Sequence, residues 1–155
     1  HTAYRRQRQM CIRDRGSVLS RAEFTTVGDK WATMNGSRSN HYAHQALMNA
    51  WKARAIVAAR QARCEPVPEP VTITATVHRV SRASSDAHNV SPTIKACVDA
   101  AVACGLISDD NDDIVRALTI RRGPIVRTTD PSVGKDVARP AITLTISTAP
   151  EGETL

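Results

Sequence analysis

The stretch SPTIKACVDAAVACG, residues 91–105, constrains this chain more than any other. Ile94, Cys97, Val98, Ala101 and Val102 fall at i, i+3, i+4, i+7 and i+8, the spacing of one buried helix face. Ser91 suits an N-cap and Pro92 the first helical position, where a missing N–H costs nothing. Gly105 supplies the C-terminal stop. The pattern predicts a short helix from Pro92 to about Cys104.

Val71 to Val80, VTITATVHRV, alternates β-branched residues and predicts a strand. Ser81 to Asn89 reads as a polar loop. Ile114 to Arg122 predicts a second strand, and Ala141 to Ser147 a third with Ile142, Leu144 and Ile146 on its buried face. Gly123 to Pro140 between them reads as a loop, with Asp130-Pro131 and Gly134 as turn signals. Upstream, His41 to Arg63 has no Pro or Gly and places Leu47, Trp51, Ala55 and Ala58 at helical spacing. The proline-rich run from Cys64 to Pro70 stops that long helix. Residues 16–40 hold one short strand at most, before Asn35. The order predicts an α+β fold with a small mixed sheet and two main helices, in one domain over residues 16–150. Residues 151–155 read as a disordered tail.

The net charge of +6 suggests a nucleic-acid binder until its distribution is read. Residues 1–15, HTAYRRQRQMCIRDR, hold five arginines and one aspartate, +4 of that total. They show no periodicity, no cap and no apolar core for a secretory signal. The string reads as a translated sequencing adapter, because AGATGTGTATAAGAGACAG gives Met-Cys-Ile-Arg-Asp in one frame. The segment is therefore expected to be non-native, the alternative being a disordered basic arm. The other residues balance 16 basic against 14 acidic side chains, which leaves little global attraction for a polyanion. Aromatics make up 3%, so the core is aliphatic and a base-stacking aromatic platform is not expected. No run approaches the roughly 20 apolar residues of a membrane span. Cys64, Cys97 and Cys104, with Cys11 in the suspect segment, show neither CxxC nor paired His spacing. They read as small apolar residues in a reducing, cytoplasmic setting.

Two polar clusters bracket the short helix. Asp86-Ala-His88-Asn89 precedes it, and Asp109-Asp110-Asn-Asp-Asp113 follows it. A helix of that length spans some 20 Å at 1.5 Å per residue. The clusters can meet only if the loop before it and the turn after it fold along one sheet edge. In isolation each cluster reads as a solvated turn.

From Asp86 to Asp110 the chain resembles the RusA-type Holliday junction resolvases and their phage relatives. That pattern runs Asp-x-Asp-Asn, Pro-Thr-x-Lys, an Asp on the helix, Gly, and a closing Asp-Asp. Asp86, Asn89, Pro92-Thr93-Ile94-Lys95, Asp99, Gly105 and Asp109-Asp110 fall in register with it. Asn35 to His41, Trp51-Lys-Ala-Arg, and Gly134-Lys135 followed by AITLTIS are looser similarities, so the resemblance spans most of residues 30–148.

The resemblance implies a homodimeric, Mg²⁺-dependent endonuclease that resolves four-way DNA junctions in recombination and repair. Asp86 and Asp110 would be the metal ligands, with Asp109 assisting, since Mg²⁺ takes hard oxygen donors and needs only one or two carboxylates. Lys95 would neutralise charge on the scissile phosphate. Asn89 would orient a ligand or contact DNA. His88 stands where the family has its second Asp. Imidazole favours Mn²⁺, Zn²⁺ or Ni²⁺ over Mg²⁺, or could act as a general base near pH 6.5. The alternative is an inactive module that binds branched DNA without cutting it. Lys95 and Asp99 also read as a plain i, i+4 ion pair. Arg79, Arg82, Arg116, Arg121, Arg122, Arg127 and Arg139 read as a phosphate-binding rim or as solvated strand edges. His41 and His44 read as surface residues.

Overall fold

The computed structural model describes residues 20–34, 40–82 and 87–150. The segment read as non-native (1–15), Asp86 and the tail 151–155 lie outside these residues. The chain runs β1 (Arg21–Val27), α1 (His41–Gln61), β2 (Val71–His78), a 3-10 turn (Ala87–Val90), α2 (Ser91–Ala103), β3 (Val115–Gly123), β4 (Val126–Asp130), β5 (Lys135–Arg139) and β6 (Ala141–Thr148). A four-stranded mixed sheet has the order β1-β6-β2-β3, and β4 and β5 form a separate antiparallel pair. The fold is α+β, as the sequence implies.

Strand alternation sorts the sheet into two faces. Ala22 and Phe24 of β1, Ile142, Leu144 and Ile146 of β6, and Val71, Ile73, Ala75 and Val77 of β2 are buried on the helix side. The register aligns them in rows such as Phe24, Leu144 and Ala75. The opposite face is rich in threonine. There the Thr25 and Thr143 hydroxyls lie 2.7 Å apart. β2 and β3 pair in parallel, with α2 as the crossover that parallel strands require.

α1 starts where the Asn40 side chain accepts from the Ala43 N–H at 3.0 Å. Its buried stripe is Trp51, Ala55 and Ala59; Ala58, assigned to that stripe from sequence, is only partly covered. The helix ends at Gln61, short of the expected Arg63, because Arg63 turns to a left-handed φ of 52°. The turn, rather than the prolines beyond it, closes this helix. α2 buries Ile94, Cys97, Val98 and Ala101, four of the five residues of the expected stripe. Its N-cap position is Val90, with no side-chain capping bond, so Ser91 is the first helical residue and not the cap. Gly105 terminates it at φ 74°.

The expected loop over 123–140 is a hairpin. Val126 pairs with Arg139 and Asp130 with Lys135. Asp130 closes the turn by accepting from the Ser132 N–H and hydroxyl at 2.9 and 2.6 Å. His78 ties the hairpin to the sheet: its Nδ1 is 2.7 Å from the Pro124 carbonyl and its Nε2 2.7 Å from the Thr143 hydroxyl.

The segment after β1 is held against both helices. A side chain at Gly28 would meet the Trp51 ring at 2.4 Å, so only glycine allows this approach. Trp51 donates from its indole to the Lys30 carbonyl at 2.8 Å and stacks on Trp31, ring centres 5.6 Å apart. The buried Thr93 hydroxyl accepts from the Ala32 N–H at 2.9 Å and donates to the Ala32 carbonyl at 2.8 Å. The Met34 N–H donates to the Asn89 carbonyl at 3.0 Å. No helix among the described residues is long and apolar enough to cross a membrane.

Candidate active site

The acidic turn after α2 folds back along that helix. Leu106 anchors the return by accepting from the Val67 N–H at 2.9 Å. The Ser108 N–H and hydroxyl donate to the Glu69 carboxylate at 2.6 and 2.9 Å. This path brings the Asp110 carboxylate against the ammonium of Lys95, which also donates to Asp99 at 2.9 Å. Two carboxylates therefore share one ammonium on the solvent-facing flank of α2.

The other residues of SDDNDD build the turn. Asp109 accepts from the Asp110 N–H at 2.7 Å and from the Asn111 amide at 3.2 Å. Asn111 accepts from the N–H groups of Asp113 and Ile114 at 3.0 and 3.2 Å. Both Asp109 oxygens thus have local partners, whereas Asp110 reaches across to the helix. Asp112 and Asp113 are exposed. A solvated turn and a charged site coexist in six residues.

Charge compensation sets the protonation states. The Lys95 ammonium holds the Asp110 carboxyl below the ordinary carboxylate range. Bonds from Asp110, and then Asp99, raise the Lys95 ammonium above its ordinary value. Asp110 is thus a committed carboxylate at neutral pH, the form in which it could ligate a cation. Burial pushes the Cys97 thiol up to about 12, which leaves it an inert core residue as expected.

Among the described residues no three His, Cys, Asp or Glu side chains form a metal-holding group. Asp86 lies outside those residues, as does the side chain of His88, so their approach to Asp110 is not part of this geometry. Asn89 sits in the 3-10 turn that leads directly into α2. Asp99 and Asp110 both bond to the Lys95 ammonium, and their two negative charges exceed its one positive charge.

The expected arginine rim divides. Arg139 is paired with Asp29 at 2.9 Å and Asp130 at 3.4 Å, and Asp29 also holds Arg54 at 2.6 Å. Arg139 is thus a brace between the hairpin and the segment after β1, not a free phosphate contact. Arg121 pairs in register with Thr76 and Arg122 with Val77, so the two fall on opposite sheet faces. Arg116 and Arg82 are exposed, as is Arg127 on the hairpin. Arg79 directly follows β2, and His41 and His44 lie in the first turn of α1.

Sequence reasoning missed a groove beside the Lys95 cluster, between α2 and β3. Ile73, Ile94, Val98, Leu118 and Ile120 line it, and Lys95 and Asp110 form its charged end. The signal available was the alternation of Leu118 and Ile120 on a strand whose partner pattern was not yet known. Comparison with protein-family models and with curated proteins gave no match.

Proposed function

We propose that the chain is a divalent-metal-dependent endonuclease acting on branched DNA, four-way junctions above all, as RusA-type resolvases do. The observation that carries this reading is the return of the acidic turn onto α2, which sets Asp110 against Lys95. That contact joins the closing Asp-Asp of the resembled pattern to its Pro-Thr-x-Lys, fifteen residues earlier.

The excess negative charge at Asp99 and Asp110 attracts a divalent cation, with Asp110 and Asp86 as its ligands. A bound Mg²⁺ would neutralise phosphate charge and supply an activated water for hydrolysis. Lys95 places a fixed positive charge beside the same phosphate and stabilises charge that develops there. Asp109 holds the turn that aims Asp110. Asn89, at the helix entry, would orient a ligand or contact the DNA backbone. A homodimer presents two such sites to opposed strands of a two-fold symmetric junction. A cytoplasmic setting goes with this reading; among the described residues Cys64, Cys97 and Cys104 are free thiols.

His88 favours a second reading, a module that grips branched DNA without cutting it, because imidazole replaces a hard oxygen donor. One experiment separates the two. A four-way junction is incubated with wild type in Mg²⁺ and in Mn²⁺, alongside Asp110→Asn and His88→Asp. Nuclease activity predicts cleavage by wild type, no cleavage by Asp110→Asn with binding kept, and a shift toward Mg²⁺ in His88→Asp. Binding without cleavage in either metal overturns the nuclease reading in favour of the module.

A further inference from the structure

The groove between α2 and β3 has a volume of about 180 Å³. That is room for several waters at about 30 Å³ each, yet less than the roughly 300 Å³ at which pockets for drug-sized ligands begin. Its walls are aliphatic, and only its Lys95–Asp110 end is charged. Leu118 on its outer wall is 47% exposed. An open apolar slot beside a charged cluster offers an amphipathic occupant both kinds of contact.

We propose that this groove seats one unstacked nucleobase of a branched DNA strand that runs along β3. The proposal rests on the DNA-directed reading above and adds a subsite to it. A nucleotide has the required polarity: a flat ring whose faces lack hydrogen-bonding groups, joined through its sugar to an anion. An aliphatic slot accepts the ring through its faces, and because two carboxylates already share Lys95, the phosphate charge falls to the exposed arginines of β3. Arg122 lies two residues beyond Ile120 on the same sheet face, exposed and without an ion pair among the described residues. It is placed to take a neighbouring phosphate. Branch points also supply the occupant cheaply, because bases there are less firmly stacked and cost less to extrude.

A second copy of the chain fits the groove less well. Arg116, Arg121 and Arg122 are all exposed on nine-residue β3, and none has an ion pair among the described residues. Pairing β3 with its own copy would bring these charges together along an edge. A polyanion is attracted by the same three residues.

The test uses the full chain and four-way junctions with 2-aminopurine, a base whose emission rises when it leaves the stack, at successive positions around the crossover. Binding is followed in EDTA, so that no chemistry intervenes. The expected result is a severalfold rise in emission at one position near the branch. Leu118→Glu should remove that rise and weaken junction binding by roughly tenfold, the size of one lost apolar side-chain contact. Val133→Glu, which adds the same charge at an exposed residue of the hairpin turn, should do neither. Junction binding with no emission change at any position overturns the base seat and leaves the DNA-directed reading standing. An emission change without cleavage in any metal keeps the seat and overturns the nuclease reading alone. No junction binding overturns both. Sedimentation showing that Leu118→Glu splits a dimer assigns the groove to a subunit interface and overturns the proposal.

Discussion

β6 and β3 are built from similar alternating sequences, yet they end in opposite environments. Leu144 in the middle of β6 is fully buried, whereas Leu118 in the middle of β3 is 47% exposed. Both face the helix layer, Leu144 next to Ala75 and Leu118 next to Ile73. The difference is cover. α1 and α2 bury the inner faces of β1, β6 and β2, while β3 at the edge keeps its apolar side chains on the rim of a groove. The central strands supply stability. The edge, with Lys95 and Asp110 beside it, keeps part of its apolar surface uncovered.

The largest effect should come from the covered region. Leu144→Ala removes a fully buried side chain from a close-packed layer and should cost about 2–5 kcal/mol in urea denaturation. Thr93→Val comes next. It keeps the volume but strips the Ala32 N–H and carbonyl of their buried partner, for an expected loss of about 1–3 kcal/mol. A cost near zero would mean that water replaces the hydroxyl, and that the segment after β1 is held chiefly by Trp51.

How much of this was legible depended on which forces were local. The α2 stripe and its Gly105 stop are set by neighbours within four residues, and both appear as expected. The β6 alternation AITLTIS is similarly local. The β4–β5 hairpin was not legible, because VRTTD and KDVAR are short, polar and bury little; only the turn at Asp130 and Gly134 announced it. The N-cap of α2 failed as an expectation because the chain enters through a 3-10 turn and leaves Ser91 already helical. In the candidate site, the family resemblance makes Asp110 a ligand and Asp109 its helper, but adjacency in sequence does not by itself separate the two. Only the path of the turn, pinned at Glu69 and Ser108, turns one inward on itself and the other toward Lys95. Within the arginine set, strand register, which spacing does not reveal, decides which sheet face Arg121 and Arg122 occupy, and the Asp29 and Asp130 partners that make Arg139 a brace are distant in sequence.

Leu118→Ala sharpens the comparison from the other side. An exposed edge residue should cost less than about 1 kcal/mol, well under the loss at Leu144. Equal losses in the two variants, measured at several protein concentrations, would show the groove closed by a partner in solution.

The smallest stability effect belongs to the Lys95 cluster, and its pH dependence has a definite sign. Asp110 has its carboxyl lowered below the usual 3.8, so its contribution is present above that value and is lost as pH falls through the lowered one. Lys95 is raised above 10.5, so its contribution is complete below that value and is lost only as pH rises beyond it. The pair is therefore fully charged from about pH 5 to 9. Its side chains are 53% and 33% exposed, so screening by water limits it to about 0–1 kcal/mol. Asp99→Asn, at the more exposed i, i+4 contact, should cost no more than about 0.5 kcal/mol. The difference between wild type and Asp110→Asn, followed by denaturation, should stay flat across neutral pH and shrink below about 3.8. A step in junction cleavage near pH 6.5, the ordinary range of imidazole, would then come from outside this ion pair, with the proposed role of His88 as the first candidate. His88→Ala should erase that step. If the step survives, His88 is a bystander and another group, such as a metal-bound water, carries it.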